Sequence, residues 1–259
     1  MKIGVTALGS GSRGNSFVIH STEGSLLVDA GFSRRELLKR MSGVNIEPKE
    51  IKALLITHEH TDHVAGMRLF CRDYDISACM SGGTADYLRR RKTLAEKVVE
   101  FVGGTSFDAA GFRVTPFQVQ HDAVDPVGFV MTRGGFKIGL ATDLGTIDLL
   151  AQTRLADSDV LILESNYDLD MLRNSDRMLH LKRRILGRNG HLDNQAALDA
   201  FDQLISPRTK VIYLVHVSSE CNDYNLVRKN AAAKLCAMGR SDISLEVIEQ
   251  SEPQETAWF

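Results

Sequence analysis

The stretch Thr57-His58-Glu59-His60-Thr61-Asp62-His63 constrains this chain more than any other. It follows Ala53-Leu54-Leu55-Ile56, an apolar run that reads as a buried strand. It then places three imidazoles and the Asp62 carboxylate, besides Glu59, within the six residues from His58 to His63. Neutral imidazole and carboxylate are the donors that borderline divalent cations prefer. An extended backbone at His58 and His60 points both side chains to one side. Asp62 and His63 lie past the strand end, where the chain turns, and face the same space from another direction. A catalytic zinc commonly takes three protein ligands and keeps a position open. Four donors so close together therefore predict two adjacent metals, and their density argues against a polar loop with incidental histidines.

The rest of the chain reads as an α/β protein. At 259 residues it can build one large domain with a real core, and a single domain over 1–259 is expected. Ile3–Leu8, Ser16–His20, Ser25–Asp29, Val114–Val119, Val127–Met131, Phe136–Ala141, Val160–Leu163, Val211–Val215 and Ser244–Ile248 read as strands. Helices are expected from the Ser33/Glu36 capping box to about Met41, and over Gly66–Tyr74, Thr84–Arg91, 170–188, Asp193–Leu204 and Tyr224–Met238. The Gly- and Ser-rich connection Gly9–Asn15 could present backbone N–H groups to a phosphate, but a hairpin turn is the favoured reading. His20 and His180 read as surface residues, and the tail from Ser251 carries no pattern.

Apolar strands end repeatedly in a donor residue: His58, His121, Asp143, Glu164 and His216. Sites in α/β proteins gather where strand ends meet loops, so one sheet edge could collect these residues around the His58–His63 cluster. Nothing in the bulk composition points elsewhere. The net charge of -2 gives no global pull towards nucleic acid. No apolar run approaches a membrane span, and Met1-Lys2-Ile3-Gly4-Val5 lacks the apolar stretch of a secretory signal. Cys71, Cys79, Cys221 and Cys236 form no C-x-x-C pair, which suits reduced, mostly buried thiols and a cytoplasmic location.

With His58-x-His60-x-Asp62-His63, then His121, Asp143 and His216 in order, and Asp29 in Leu27-Val28-Asp29-Ala30-Gly31, the chain resembles the metallo-β-lactamase superfamily. The resemblance covers nearly the whole chain and implies an αββα sandwich. It implies one metal on His58, His60 and His121, a second on Asp62, His63 and His216, and Asp143 bridging them. A pair of divalent ions roughly 3.5–4 Å apart makes hydroxide from a bridging water near neutral pH. The donor set suits zinc or manganese. Glu164 and His191 resemble the acid dyad of the phosphodiesterase branch, which includes the tRNA 3′-processing nucleases. A carboxylate-held histidine can protonate a departing alkoxide there. Asp62, His191 and Glu164 are thus the expected catalytic residues.

Between Glu164 and His191, the stretch Arg173–Arg188 carries six cations against Asp176 alone. Arg183, Arg184 and Arg188 are the expected contacts to a nucleic-acid backbone, with a solvated helix face as the alternative. The opening Gly9–Ser16, Leu27–Gly31, Thr57–His60 and Gly187-Arg188-Asn189-Gly190-His191 resemble the WalJ/YycJ-type branch most. That resemblance implies a DNA exonuclease working from 5′ ends. The alternative is hydrolysis of a small cyclic phosphodiester or another small ester by the same metals. The oligomeric state stays open, a homodimer included.

Overall fold

The computed structural model describes residues 2–259; Met1 lies outside them. The first half of the chain holds strands β1 (Gly4–Gly9), β2 (Ser16–Ser21) and β3 (Gly24–Val28), helix α1 (Arg34–Gly43), β4 (Ile51–Leu55), α2 (Thr61–Val64), α3 (Met67–Tyr74), β5 (Ser77–Ser81), α4 (Gly82–Arg90), β6 (Val98–Phe101), β7 (Phe107–Ala109) and β8 (Phe112–Gln118). Then come β9 (Val127–Arg133), β10 (Phe136–Ala141), α5 (Leu149–Leu155), β11 (Val160–Glu164), α6 (Leu169–Asn174), α7 (Leu179–Ile185) and α8 (Asn194–Leu204). The chain closes with β12 (Val211–Val215), α9 (Tyr224–Ala237), β13 (Ser244–Val247) and β14 (Ala257–Trp258). Among the described residues no helix is long and apolar enough to cross a membrane.

Contacts divide the chain into two compact units. One takes the chain to Pro116, with Ala123–Val127 and Glu249–Phe259; the other takes Phe117–Asp122 and Gly128–Ile248. The first unit is built on a sheet of order β14-β1-β2-β3-β4-β5-β6. Its first four strands pair antiparallel, and β3 to β6 run parallel. Parallel strands are covered on both faces and so read as unbroken apolar runs, as Leu26-Leu27-Val28 and Leu54-Leu55 do, all fully buried. Helix α1 starts where the sequence signal placed it, with Ser33 Oγ accepting from Glu36 N–H. Glu36 itself takes the Nε of Arg40 at 2.9 Å. The Arg40 guanidinium also donates to the carbonyls of Leu8, Gln250 and Ser251. That anchor brings in the patternless tail, whose β14 pairs with β1.

The second unit carries β13-β12-β11-β10-β9, with β10 to β13 parallel and β9 antiparallel to β10. Helices α5, α8 and α9 bury Leu155, Phe201, Leu204, Val227 and Leu235 in one core with β11 and β12. Asp148, Asp193 and Asp223 cap them, each accepting from a first-turn N–H. The 170–188 segment departs from the expected single helix. It forms two short helices, because the chain is extended at Ser175 and Met178. Helix α5 was not legible in the sequence, since its seven residues span only two turns.

His20 corrects a second expectation. It is buried, not at the surface, with Nε2 2.9 Å from Thr6 Oγ and Nδ1 3.0 Å from Ser25 Oγ. His180 is exposed as expected. The reason is the alternation of β2: His20 points to the face that Thr6 and the tail residue Thr256 cover, with their hydroxyls 2.6 Å apart. Burial pushes the His20 pKa down to about 4 from the ordinary 6.5. The unfolded chain therefore binds a proton in that window that the folded chain does not. Stability should fall as pH drops from about 6.5 towards 4, by up to ~3 kcal/mol from this group. Urea unfolding at pH 7 and pH 4.5 should show a smaller pH-dependent loss in His20→Asn than in wild type; equal losses would exclude His20 as the source.

Candidate metal centre

In the first unit the donors follow the C-terminal ends of parallel strands. Strand β3 ends at Val28, and Asp29 adopts a left-handed backbone (φ 58°), turning the chain off the sheet. Aspartate tolerates this region better than most residues. Asp29 Oδ1 accepts from Thr57 N at 2.9 Å, and its Oδ2 from Thr57 Oγ at 2.8 Å. Oδ2 also takes His63 Nδ1 at 2.7 Å. Burial is the largest influence on this carboxyl and pushes its pKa up, against the neighbouring His63.

Strand β4 stops at Leu55, one residue short of the apolar run's end at Ile56, yet His58 and His60 still face together. Their rings meet edge-on at 4.6 Å, with Nε2 of His58 3.0 Å from Nδ1 of His60. Asp62 and His63 sit in the short helix α2, and Asp62 Oδ2 lies 3.6 Å from His63 Nε2. The intervening Glu59 is buried and turned elsewhere, accepting from Val124 N–H at 2.8 Å.

In the second unit, three adjacent parallel strands deliver three donors. Asp143 follows β10, Glu164 ends β11, and His216 follows β12, with Ala141 in register with Leu163 and Glu164 with Val215. Asp143 and His216 repeat the left-handed exit seen at Asp29, both with φ 55°. Asp143, Glu164, His191 and His216 each offer a donor atom within 4.8 Å of the others. Glu164 is fully buried and serves two rings: Oε1 lies 2.8 Å from His191 Nδ1 and 2.9 Å from His216 Nδ1. Its Oε2 accepts from Leu144 N–H at 2.8 Å. Burial would raise its pKa, but the imidazoles more than offset this and hold it below the usual carboxylate range. His121 Nδ1 donates to the Gly190 carbonyl at 3.0 Å, and burial lowers the His121 pKa, which keeps the ring neutral.

These surroundings fit a divalent cation. A metal-binding histidine characteristically gives its second ring nitrogen to a carboxylate or carbonyl, which fixes the tautomer and ring orientation. His63, His121 and His216 each have Nδ1 at such an oxygen, from Asp29, Gly190 and Glu164, which leaves Nε2 as the nitrogen that could take a cation. Sequence reasoning named the candidate donors but missed two groups that hold them in place. One is Asn15, against His63 and Asp62. The other is the Gly190 carbonyl: a Cβ at Gly190 would run into the carbonyl of Ile185, so the close turn that presents it needs glycine.

The basic stretch is only partly available. Arg184 is paired with Asp122, Arg177 with Glu220, and Lys182 Nζ donates to the carbonyls of Arg173 and Ser175. Arg183 and Arg188 are exposed and make no ion pair among the described residues.

A family model described as the beta-lactamase superfamily domain matches residues 25–217. The chain belongs to the metallo-β-lactamase superfamily, as a WalJ/YycJ-type member. It is 33% identical over 220 residues to the exodeoxyribonuclease WalJ of Streptococcus pneumoniae, covering 83% of this chain and 81% of that one. It is 32% identical over 240 residues to the exodeoxyribonuclease YycJ of Bacillus anthracis, covering 91% and 90%. The crystal structure of the metallo-β-lactamase fold protein YhfI from Bacillus subtilis superposes with a TM-score of 0.73 over 98% of this chain and 99% of that one, at 18% identity. The expected fold class, the superfamily's αββα sandwich, is thereby shown, and the chain is a metal-dependent hydrolase of this superfamily.

Glu164 offers a direct test of the ring supports. Glu164→Gln keeps the shape but replaces an acceptor-only group with one that must turn an NH2 towards either the two imidazoles or Leu144 N–H. Metal affinity, measured by chelator competition, should fall about 10- to 100-fold. Unchanged affinity would remove Glu164 from the centre.

Proposed function

We propose that this hydrolase is a dinuclear phosphodiesterase that degrades DNA as an exonuclease, working from 5′ ends. Its single domain would hold two divalent ions, zinc or manganese, one on His58, His60 and His121 and the other on Asp62, His63 and His216, with Asp143 shared. When bound, such ions supply an activated water and counter the charge that builds on the phosphoryl oxygens. The exodeoxyribonuclease activity named for the WalJ and YycJ relatives supports DNA as the substrate.

The observation that carries the reading is the Glu164–His191 pair. A thiolate leaves a thioester without a proton, whereas the departing alkoxide of a phosphodiester needs one. His191 has its Nδ1 on a buried carboxylate and its side chain 21% exposed, so the ring is both held and reachable. In the proposed reaction Nε2 of His191 gives its proton to the departing oxygen, and Glu164 steadies the ring through Nδ1. Asp62 is counted as catalytic because its loss should end turnover while the fold survives. Arg183 and Arg188 would contact the strand's phosphates; Arg184 would have to exchange Asp122 for a phosphate to join them.

The test is cleavage of end-labelled single- and double-stranded DNA and RNA by chelator-stripped protein resupplied with zinc, manganese or magnesium. Stepwise release of nucleotides from the 5′ end of DNA is expected, with none from Asp143→Ala. His191→Ala should keep its metal content and lose about 10²- to 10⁴-fold in rate. An undiminished rate would dismiss His191 as the acid, and turnover of only a small phosphodiester would move the substrate away from DNA.

A further inference from the structure

The Gly9–Asn15 connection is the sequence feature that the reaction leaves unexplained. It does join two antiparallel strands, as a hairpin turn would. Yet its last residue, Asn15, is completely buried, which is unusual for a polar side chain at the end of a glycine- and serine-rich loop. Asn15 uses all its polar groups within the first unit. Its N–H donates to the Asp62 carbonyl at 2.9 Å, and its own carbonyl accepts from Gly31 N–H at 3.0 Å. Its Oδ1 accepts from Ser10 Oγ at 2.7 Å and from Gly11 N–H at 3.0 Å. A backbone N–H can only donate, so this contact fixes which end of the amide faces the loop.

The Nδ2 group is thereby turned towards the donor cluster. It lies 3.1 Å from the Gly11 carbonyl, 3.1 Å from His63 Nε2 and 3.4 Å from Asp62 Oδ2. On the far side of the ring, Asp29 holds His63 Nδ1. Gly31 completes the fit: a Cβ there would run into the Asp62 carbonyl, so the Asp62 peptide is packed directly on the Asn15–Gly31 contact.

We infer that Asn15 is a positioning residue for the Asp62–His63 pair: its amide fixes the two donors against the loop and steers the Asp62 carboxylate when a cation binds. The inference rests on the reading of Asp62 and His63 as metal ligands. A cation on His63 Nε2 would exclude an N–H donor from that nitrogen, so the Asn15 N–H facing the ring would pass to the nearby Asp62 Oδ2 while the other stays on the Gly11 carbonyl. The hydrogen bond to the carboxylate then leaves that group one defined oxygen for the ion. Loss of a residue that orients a ligand in this way typically weakens metal binding 10- to 100-fold.

Two measurements on the full chain test this. In wild-type protein labelled on asparagine with ¹⁵N, zinc added to the chelator-stripped sample should shift the Asn15 side-chain amide resonances in step with ion uptake. In chelator-competition titrations Asn15→Ala should bind one zinc ion about 10- to 100-fold less tightly than wild type does. Ser10→Ala, which removes only the loop side of the same lock, should lower Tm and leave zinc affinity unchanged. If Asn15→Ala binds zinc as wild type does, or the Asn15 amide stays unmoved while zinc is taken up, Asn15 is a loop residue and the inference fails. The wild-type spectrum decides the matter even where Asn15→Ala does not fold. Wild-type protein that takes up no zinc, manganese or magnesium would instead defeat the metal reading itself.

Discussion

Three buried imidazoles, His63, His121 and His216, are each tied at Nδ1 to an oxygen supplied by a different part of the chain. This tether decides what the rest of the chemistry can be. A buried ring without it would choose its tautomer by local chance, and its Nε2 would have no fixed direction. The three oxygens come from Asp29 at the end of β3, Glu164 at the end of β11 and the carbonyl of Gly190. Two are carboxylates on rigid sheet edges. The third is a backbone carbonyl that a glycine turn presents. Within each unit these histidines therefore inherit the precision of that unit's own sheet, which loops alone could not provide.

The exits from the sheets are a second shared device. Asp29, Asp143 and His216 all leave their strands through a left-handed backbone. Such a conformation is costly for most side chains and tolerable for short polar ones. It turns the side chain back over the strand ends within a single residue. The donors thus lie at the C-terminal edge of parallel strands, where α/β proteins gather their sites. Glu164 adds economy: one buried carboxylate orients His216 and His191 through the same oxygen, so the two rings share a support.

Much of this was legible in the chain. The His58–His63 cluster predicts a metal site through donor density alone, and the downstream candidate donors stand out because they close apolar strands. Most strands were placed within two residues, because buried parallel strands read as short apolar runs. The failures have physical causes. His20 looked like a surface residue because nothing in β2 says that Thr6 and the tail would cover it. The 170–188 segment looked continuous because its polar pattern does not reveal the extended backbone at Ser175 and Met178. The pairing of Arg184 with Asp122, 62 residues away in sequence, was likewise not visible in the basic stretch itself.

The sequence by itself determined the candidate donors, the order of the strands' apolar runs and the resemblance that follows from them. These depend on residue type and short spacing, which a linear chain displays openly. Only the tertiary structure decided which oxygen holds which ring, that Glu164 serves two histidines, and that Asn15 turns its amide onto Asp62 and His63. Such contacts join residues 27 to 69 positions apart. They exist because sheet pairing and tight glycine turns bring those positions together, and no local pattern records where a neighbouring strand will end.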